Sequence, residues 1–283
     1  MSIRTDLAVE STAKYTSGIP GITGKNRSGN GCEISEVIIE SDEAGAKISK
    51  KAGRYITVET DRLSAHPEEF DGMAQTLADE IGALCPEKDS VMILGLGNAE
   101  ITPDALGPQV ISKIIATRHF EAELPEEHPF SKLPQVAALA PGVLGQTGSE
   151  VAEMAAAIVR KIKPRAVVVI DALACADVTR LGTTIQLTDT GISPGSGVAN
   201  ARKELSEKTL GVPVIAVGVP TVVDFYTIAE NLTGSAPDKK LPNMMVTPRD
   251  VDKLIVRTAK LVACAINRCF LPFSFEDINA MTD

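Results

Sequence analysis

Histidine is scarce in this 283-residue chain, and His66, His119 and His128 have no metal-ligand spacing to one another. A zinc-type site built on imidazoles is therefore not expected. CxxC spacing is absent among the five cysteines, Cys32, Cys85, Cys175, Cys264 and Cys269. Their odd number fits reduced thiols better than a disulfide framework. No apolar run approaches the roughly 18 residues of a membrane span, and Met1 to Glu10 is too short and charged for a secretory signal. A basic excess is missing as well: 28 Lys and Arg stand against 37 Asp and Glu, a net charge of -9. That balance argues against broad binding to phosphate backbones and is more compatible with a basic partner. The expectation is a cytoplasmic protein with no membrane contact and no direct nucleic-acid partner. No internal repeat is evident.

What is present is ordinary for a globular chain long enough to bury a sizeable core, with 44% apolar and 23% charged residues. One stretch stands out, VMILGLGNAEITPDALGP, from Val91 to Pro108. Val91 to Leu96 is apolar except for Gly95, as in a central strand covered on both faces. Gly95 and Gly97 then free the backbone for a turn, Pro103 suits a first helical position, and Thr102 can cap the helix. Asp104 is thus placed at a strand-to-helix junction, where open α/β sheets gather ligands and catalytic groups.

The remaining chain reads as alternating strands and helices. Residues 1 to about 30 are polar and Gly-, Ser- and Thr-rich, and SGIPGITGKNRSGNG reads as loop. Ile34 to Ser41 and Arg54 to Thr60 suggest a strand pair, a small antiparallel element beside the main sheet. A helix is expected from Pro67 through Cys85, with Phe70, Met73, Leu77 and Ile81 on one face. Another is expected from the Asp104 region to about His119, beginning at Gly107 and Pro108 or carrying a distorted first turn, because proline removes a donor. Then come a strand over Val136 to Leu139, a helix over Ser149 to Lys163, and a strand over Ala166 to Ile170 that ends directly in Asp171. Thr183 to Leu187 and Val212 to Val217 supply two more strands. The segment between them, Asp189 to Glu204, begins as a loop of the kind that lines sites. Pro220 is read as opening a helix. Thr247 is read as capping the last one, with Pro248 at its first position and Val251, Leu254, Ile255, Val262 and Ile266 inward. The fold class is α/β, a mostly parallel sheet with helices on both faces and a small antiparallel β element near the N-terminus. The domain division is 1–30, an N-terminal segment and loop region, and 31–283, a single α/β domain with its β element at about 34–60.

Several chemistries can be weighed against these elements. GLGNAE fails as a dinucleotide fingerprint at its third glycine, where Glu100 would set a carboxylate near a pyrophosphate. Cys175 follows a strand closely, but no nearby histidine is there to activate it, and a small buried hydrophobe is the simpler reading. Ser196 in PGSG lacks the GxSxG elbow and a strand leading into it; with Ser193 and Gly195 it remains a candidate for a substrate loop. The third possibility is the pair Asp104 and Asp171, two carboxylates at one edge of the sheet if their strands are parallel neighbours. Aspartates about 3 Å apart cannot both ionise easily, so one keeps a proton while the other acts as base on a water. Alternatively, Asp104 satisfies helix-entrance amides and Asp171 caps a turn.

The chain resembles the germination protease family of spore-forming bacteria. The likeness rests on IRTDLAVE, KKAGRYITVE, GLGNAEITPDALGP, PGVLGQTG, VVVIDALA, TIQLTDTGISPGSGVANARKE, GVPVIAVGVPTVVD and MVTPRDVD, in that order. The resemblance implies an aspartic-type endopeptidase that cuts small acid-soluble spore proteins during germination, with Asp104 and Asp171 as its catalytic carboxylates. It also implies a homo-oligomer, a tetramer, working in the spore core or developing forespore. The implied fold is phosphorylase/hydrolase-like and similar to that of hydrogenase maturation endopeptidases, whose glycine-and-carboxylate pattern falls on Gly95, Gly97, Asn98, Asp104 and Gly107. Those enzymes bind a metal through two carboxylates and a histidine. No histidine lies in the loop from Asp189 to Gly197, so no metal and no cofactor are expected. Family members are zymogens that remove an N-terminal segment at an acidic residue followed by a bulky apolar residue, Ala, any residue and Glu. Asp6, Leu7, Ala8, Val9 and Glu10 match this pattern, which implies cleavage between Asp6 and Leu7. The segment Met1 to Asp6 is shorter than is usual, and a long insertion before Thr247 is replaced by a brief linker. Because the bond cut lies beside an acidic residue, local basic groups are needed, and Arg165, Arg202 and Lys203 are candidates. A metal-dependent maturation-type peptidase and a non-catalytic peptide-binding protein of the same fold are the alternatives.

Overall fold

Long apolar segments with β-branched residues dictate where the sheet lies, and a computed structural model describes Leu7 and residues 19–65, 70–85, 87–195, 202–235 and 244–282. The strands are β1 (Ile22–Gly29), β2 (Cys32–Ile39), β3 (Gly53–Glu59), β4 (Ser90–Gly95), β5 (Gln135–Leu139), β6 (Ala166–Cys175), β7 (Thr184–Thr188), β8 (Val214–Asp224) and β9 (Met245–Val246). They form one sheet in the order β1-β2-β3-β7-β8-β6-β4-β5, with β9 pairing β8. Its core, β5-β4-β6-β8, is parallel, and the flanking strands are antiparallel. The N-terminal β element is not a separate piece, because β3 pairs β7 and so joins the main sheet.

The main helices are α1 (Asp71–Leu84), α2 (Leu106–Ile111), α3 (Val151–Ile162), α4 (Phe225–Thr233), α5 (Val251–Phe270) and α6 (Phe275–Thr282). Residue alternation along each strand sorts side chains to the two faces. Val91 and Ile93 of β4, Val168 and Ile170 of β6 and Ile215 and Val217 of β8 meet α1, α2 and α5 on one face. On the other face, Met92, Leu94, Val167 and Val169 meet Ala152, Ala155 and Val159 of α3. Helices cover both faces, as the sequence implies.

Four expectations need correction. Residues 22–29, read as loop, form β1, because each pairs with a residue of β2 from Ile22↔Ile39 to Gly29↔Cys32; pairing overrides composition there. The helix expected to reach His119 is only Leu106–Ile111, preceded by a 3-10 turn over Thr102–Asp104, so Pro108 falls in the first turn, where its missing donor costs least. Pro220 lies inside β8, not at a helix start. The β6–β8 register shifts between Leu173 and Ala174, opposite Pro220, and such a bulge is where a sheet admits proline. Thr247 does not cap α5: its hydroxyl donates to Thr221 O at 2.9 Å, and Asp250 is the cap position, its carboxylate engaged by Arg62 and Ser64.

Candidate active site

Two strands define the site. Chain connections from β4 lead to β5 on one side, and those from β6 lead toward β7 and β8 on the other. The carboxyl ends of β4 and β6 therefore flank a topological switch point, the usual place for a crevice in an α/β sheet. β4 stops pairing at Gly95, opposite Ile170, and the Leu96 N–H donates to Ile170 O at 2.8 Å.

Asp171 follows Ile170 but does not end the strand. β6 continues to Cys175, so the sequence reading of a strand end is wrong. The extension ALAC is apolar and pairs with β8, which runs just as far. Asp171 instead lies one residue past the last β4–β6 pair, Gly95↔Ile170. Directly across β8 its partner is Gly218, which in turn pairs with Gln186 of β7. Directly opposed residues share a face, and the space over Gly218 is filled by the Leu173 side chain, to which a Cβ would come within 2.3 Å, with buried Gln186 on the far side. Asp171 is itself buried, and its Oδ1 accepts from Ala172 N at 2.9 Å.

Asp104 stands in the 3-10 turn that follows β4. Gly97 adopts φ +111°, and a Cβ there would sit 1.9 Å from Asp104 O. Only glycine permits both the torsion and the close approach. The Asn98 N–H donates to Asp104 Oδ2 at 2.8 Å. Asn98 is fixed in its turn, since its Oδ1 accepts from Glu100 N and from Gln146 Nε2, each at 3.0 Å. Gln146 belongs to PGVLGQTG, one of the segments that carry the family resemblance. Thr221 ties the 3-10 turn to β8, its hydroxyl donating to Pro103 O at 2.7 Å. Gln146, Thr221 and Gln186 were missed because a lone polar residue in an apolar or turn segment carries no spacing signal.

Burial raises the Asp104 pKa above its ordinary 3.8, and the Asn98 N–H opposes that shift. Between 3.8 and the raised value the native state binds more protons than the unfolded one. Stability therefore falls as pH climbs through that window, and the cost persists above it. Asp104→Asn escapes the cost, so its melting temperature is expected above wild type at about pH 7, with the gain gone at about pH 3. Thermal unfolding at the two pH values checks this; a gain equal at both would contradict it.

The other expected residues scatter. Ser193 and Gly195 lie in the loop after β7, whose base is closed by the Ile192↔Leu205 bridge; Ser196 lies outside the described residues. Asp6 does too, whereas Leu7 is described and fully buried. Cys175 is buried beside Leu7, its thiol 3.7 Å from Val222 O, a packing residue. Arg165 precedes β6 at the opposite edge of the sheet and pairs with Glu87 at 3.5 Å, so it cannot serve the site. Lys203 pairs with Glu153 at 2.5 Å, and the Arg202 N–H donates to Pro194 O. His119 and His128 pack edge-on against Phe120 and Phe130 ahead of β5, also at the far edge.

A family model described as germination protease matches residues 3–234. The chain is 39% identical to the germination protease of Clostridium tetani over a 321-position alignment covering 99% of each chain. It is 38% identical to that of Caldanaerobacter subterraneus, over 96% of this chain and 95% of the relative. Identity to the Bacillus velezensis germination protease is 44%, over 81% of this chain and 65% of that longer relative. Among solved structures, a hydrogenase maturation protease from Thermococcus kodakarensis aligns at 17% identity with a TM-score of 0.36, over 66% of this chain and 99% of that one.

Proposed function

The chain belongs to the germination protease family, and from that premise we propose that it is an aspartic-type endopeptidase whose working groups are Asp104 and Asp171. The observation that supports the reading is their placement: Asp171 follows the last β4–β6 pair, Gly95↔Ile170, Asp104 stands in the turn after β4, and each carboxylate accepts from a backbone N–H. On this reading Asp104 is the group assigned the proton, the direction in which burial moves its pKa. Asp171 takes a proton from a bound water as that water adds to the peptide carbonyl. Asp104 then gives its proton to the leaving nitrogen, and the products carry the carboxylate and amine that hydrolysis requires. No metal or other cofactor enters these steps.

The substrates on this reading are the small acid-soluble proteins of spores, cut in the spore core or developing forespore. The enzyme is a homo-oligomer, a tetramer, made as a zymogen whose residues 1–30 contain the removable segment and whose residues 31–283 form the peptidase unit. The self-processing bond is Asp6–Leu7, and the Ser193, Gly195 and Ser196 loop lies over the substrate. No helix among the described residues is long and apolar enough to cross a membrane. Intact-mass measurement after acid incubation tests self-processing. The expected product begins at Leu7; an unprocessed chain, or one cut elsewhere, contradicts the assignment.

A further inference from the structure

β8 is apolar from end to end except at Thr221 and its last residue, Asp224, and Thr221 has none of its surface exposed. It is also where the strand is irregular. Pairing with β6 passes from Leu173↔Pro220 to Ala174↔Val222 and skips Thr221, a bulge of a kind rare between parallel strands and frequent beside active sites. The faces of the strand change over there. Val219 joins the core against α1, α2 and α5, whereas Val223 joins Leu173 and Cys175 on the opposite face, although residues four apart in a regular strand share one. On the other edge of β8, pairing with β7 stops at Gly218 and pairing with β9 starts at Val223. In that gap Thr221 O accepts from the Thr247 hydroxyl at 2.9 Å.

The side chain that the bulge re-aims reaches the turn carrying Asp104. Its hydroxyl donates to Pro103 O at 2.7 Å, and the Asp104 N–H of the same peptide unit donates to Ile101 O at 2.8 Å. A peptide unit is planar, so bonds at its carbonyl and at its N–H together fix its orientation. That orientation sets the direction in which the Asp104 side chain leaves the backbone, toward the Asn98 N–H that its Oδ2 accepts at 2.8 Å. β8 serves the other aspartate as well, because Gly218, three residues before Thr221, pairs with Asp171. Valine would fill the space of Thr221, as Val219 and Val222 do on either side of the Pro220–Thr221 step, but would leave Pro103 O without its donor. A buried neutral hydrogen bond adds only modestly to stability once desolvation is counted. What this one adds is direction.

We propose that Thr221 is a positioning residue, whose hydroxyl aims Asp104 from the same strand that pairs with Asp171. The proposal rests on the hydrolytic roles assigned to the two aspartates. Asp171 is referenced to β8 by the sheet ladder, and Asp104 is referenced to it by one hydroxyl. Thr247 supports the device from behind, holding the bulged backbone through Thr221 O.

Two substitutions separate the hydroxyl from the space it fills. In the full chain, Thr221→Val is expected to lower kcat for a cleavable peptide about 10²-fold with KM nearly unchanged, the scale of a catalytic group displaced by about 1 Å. Thr221→Ser, which keeps the hydroxyl, is expected to stay within about threefold of wild type. Placed on Asp104→Asn, Thr221→Val should change the residual kcat by less than about threefold, because it acts through a group already disabled. Amide exchange reads the tether without any activity. Relative to the Leu96 N–H, which is bonded to Ile170 O, the Asn98 N–H should exchange about tenfold faster in Thr221→Val and at the wild-type rate in Thr221→Ser. If Thr221→Val does not fold, Thr247→Val carries the same comparisons with a smaller loss of kcat, about threefold to tenfold. A serine variant as impaired as the valine one, a full further loss on Asp104→Asn, or unchanged Asn98 exchange overturns the proposal while leaving the two aspartates in place. A wild-type chain that fails to cleave removes the hydrolytic reading, and the exchange pattern then decides the tether by itself.

Discussion

Replacing Asp171 with Asn is expected to lower kcat/KM for a cleavable peptide about 10³-fold while the protein stays folded, because a general base contributes about 10² to 10⁴. Asn matches Asp in volume and keeps an oxygen to accept the Ala172 N–H seen at 2.9 Å. What it loses is the ability to take a proton from water. The loss should fall on kcat and not on KM, since Asp171 is assigned a role in the transition state and none in holding the peptide. A matched far-ultraviolet spectrum and melting temperature for the two proteins would tie the loss to chemistry. A variant that cleaves at the wild-type rate would remove Asp171 from the mechanism.

The second large effect is expected at Gly97, with no change to any carboxylate. Gly97→Ala meets two penalties together. Its φ of +111° suits glycine, and the new methyl would sit 1.9 Å from Asp104 O, a backbone atom that cannot turn aside. The turn from Gly97 to Asp104 must open, breaking the Asn98 N–H bond to Asp104 Oδ2. Unfolding free energy is expected to fall by about 2 to 3 kcal/mol, the scale of a strained torsion plus overpacking. Cleavage should fall about 10²-fold further than stability alone explains, because displacing a catalytic group by about 1 Å costs that much. Urea titration and peptide kinetics on the same preparation check both figures. Full activity in the variant would mean that Asp104 does not depend on the Gly97 turn.

Much of this arrangement was legible before any coordinates. The apolar runs that became β4 and the first half of β6 announce buried parallel strands, and Asp104 announces itself by the turn residues around it. Asp171 was legible as a residue but not as a place. The sequence suggests a strand ending at Ile170, because a carboxylate breaks the apolar run. The strand continues because β8 continues beside it, past the point where the pairing with β4 ends at Gly95. A residue's surroundings in a sheet are set by its neighbours' lengths, which its own segment does not record. The same reason hides β1, whose ITGKNRSG segment is mostly exposed and is a strand only through its pairing with β2. It also hides Pro220, which is tolerated in β8 because the pairing with β6 shifts there, Thr221 of β8 being skipped between Leu173↔Pro220 and Ala174↔Val222. Leu7 is the extreme case, since its burial depends on a cavity assembled from β6, β8, β9, α4 and the loop residues Leu181 and Ile192. The germination protease motifs pointed to both aspartates and to Leu7 without giving any of these neighbours.

The central claim is that Asp104 and Asp171 act as one unit, and residues that act as a unit are not additive when removed. The most direct measurement is kcat/KM for one peptide with wild type, Asp104→Asn, Asp171→Asn and the double variant, each verified as folded. The account predicts that both single variants lose about 10³-fold and that the double variant is within about threefold of either. Losses that multiply in the double variant, or a single variant with wild-type activity, would contradict it.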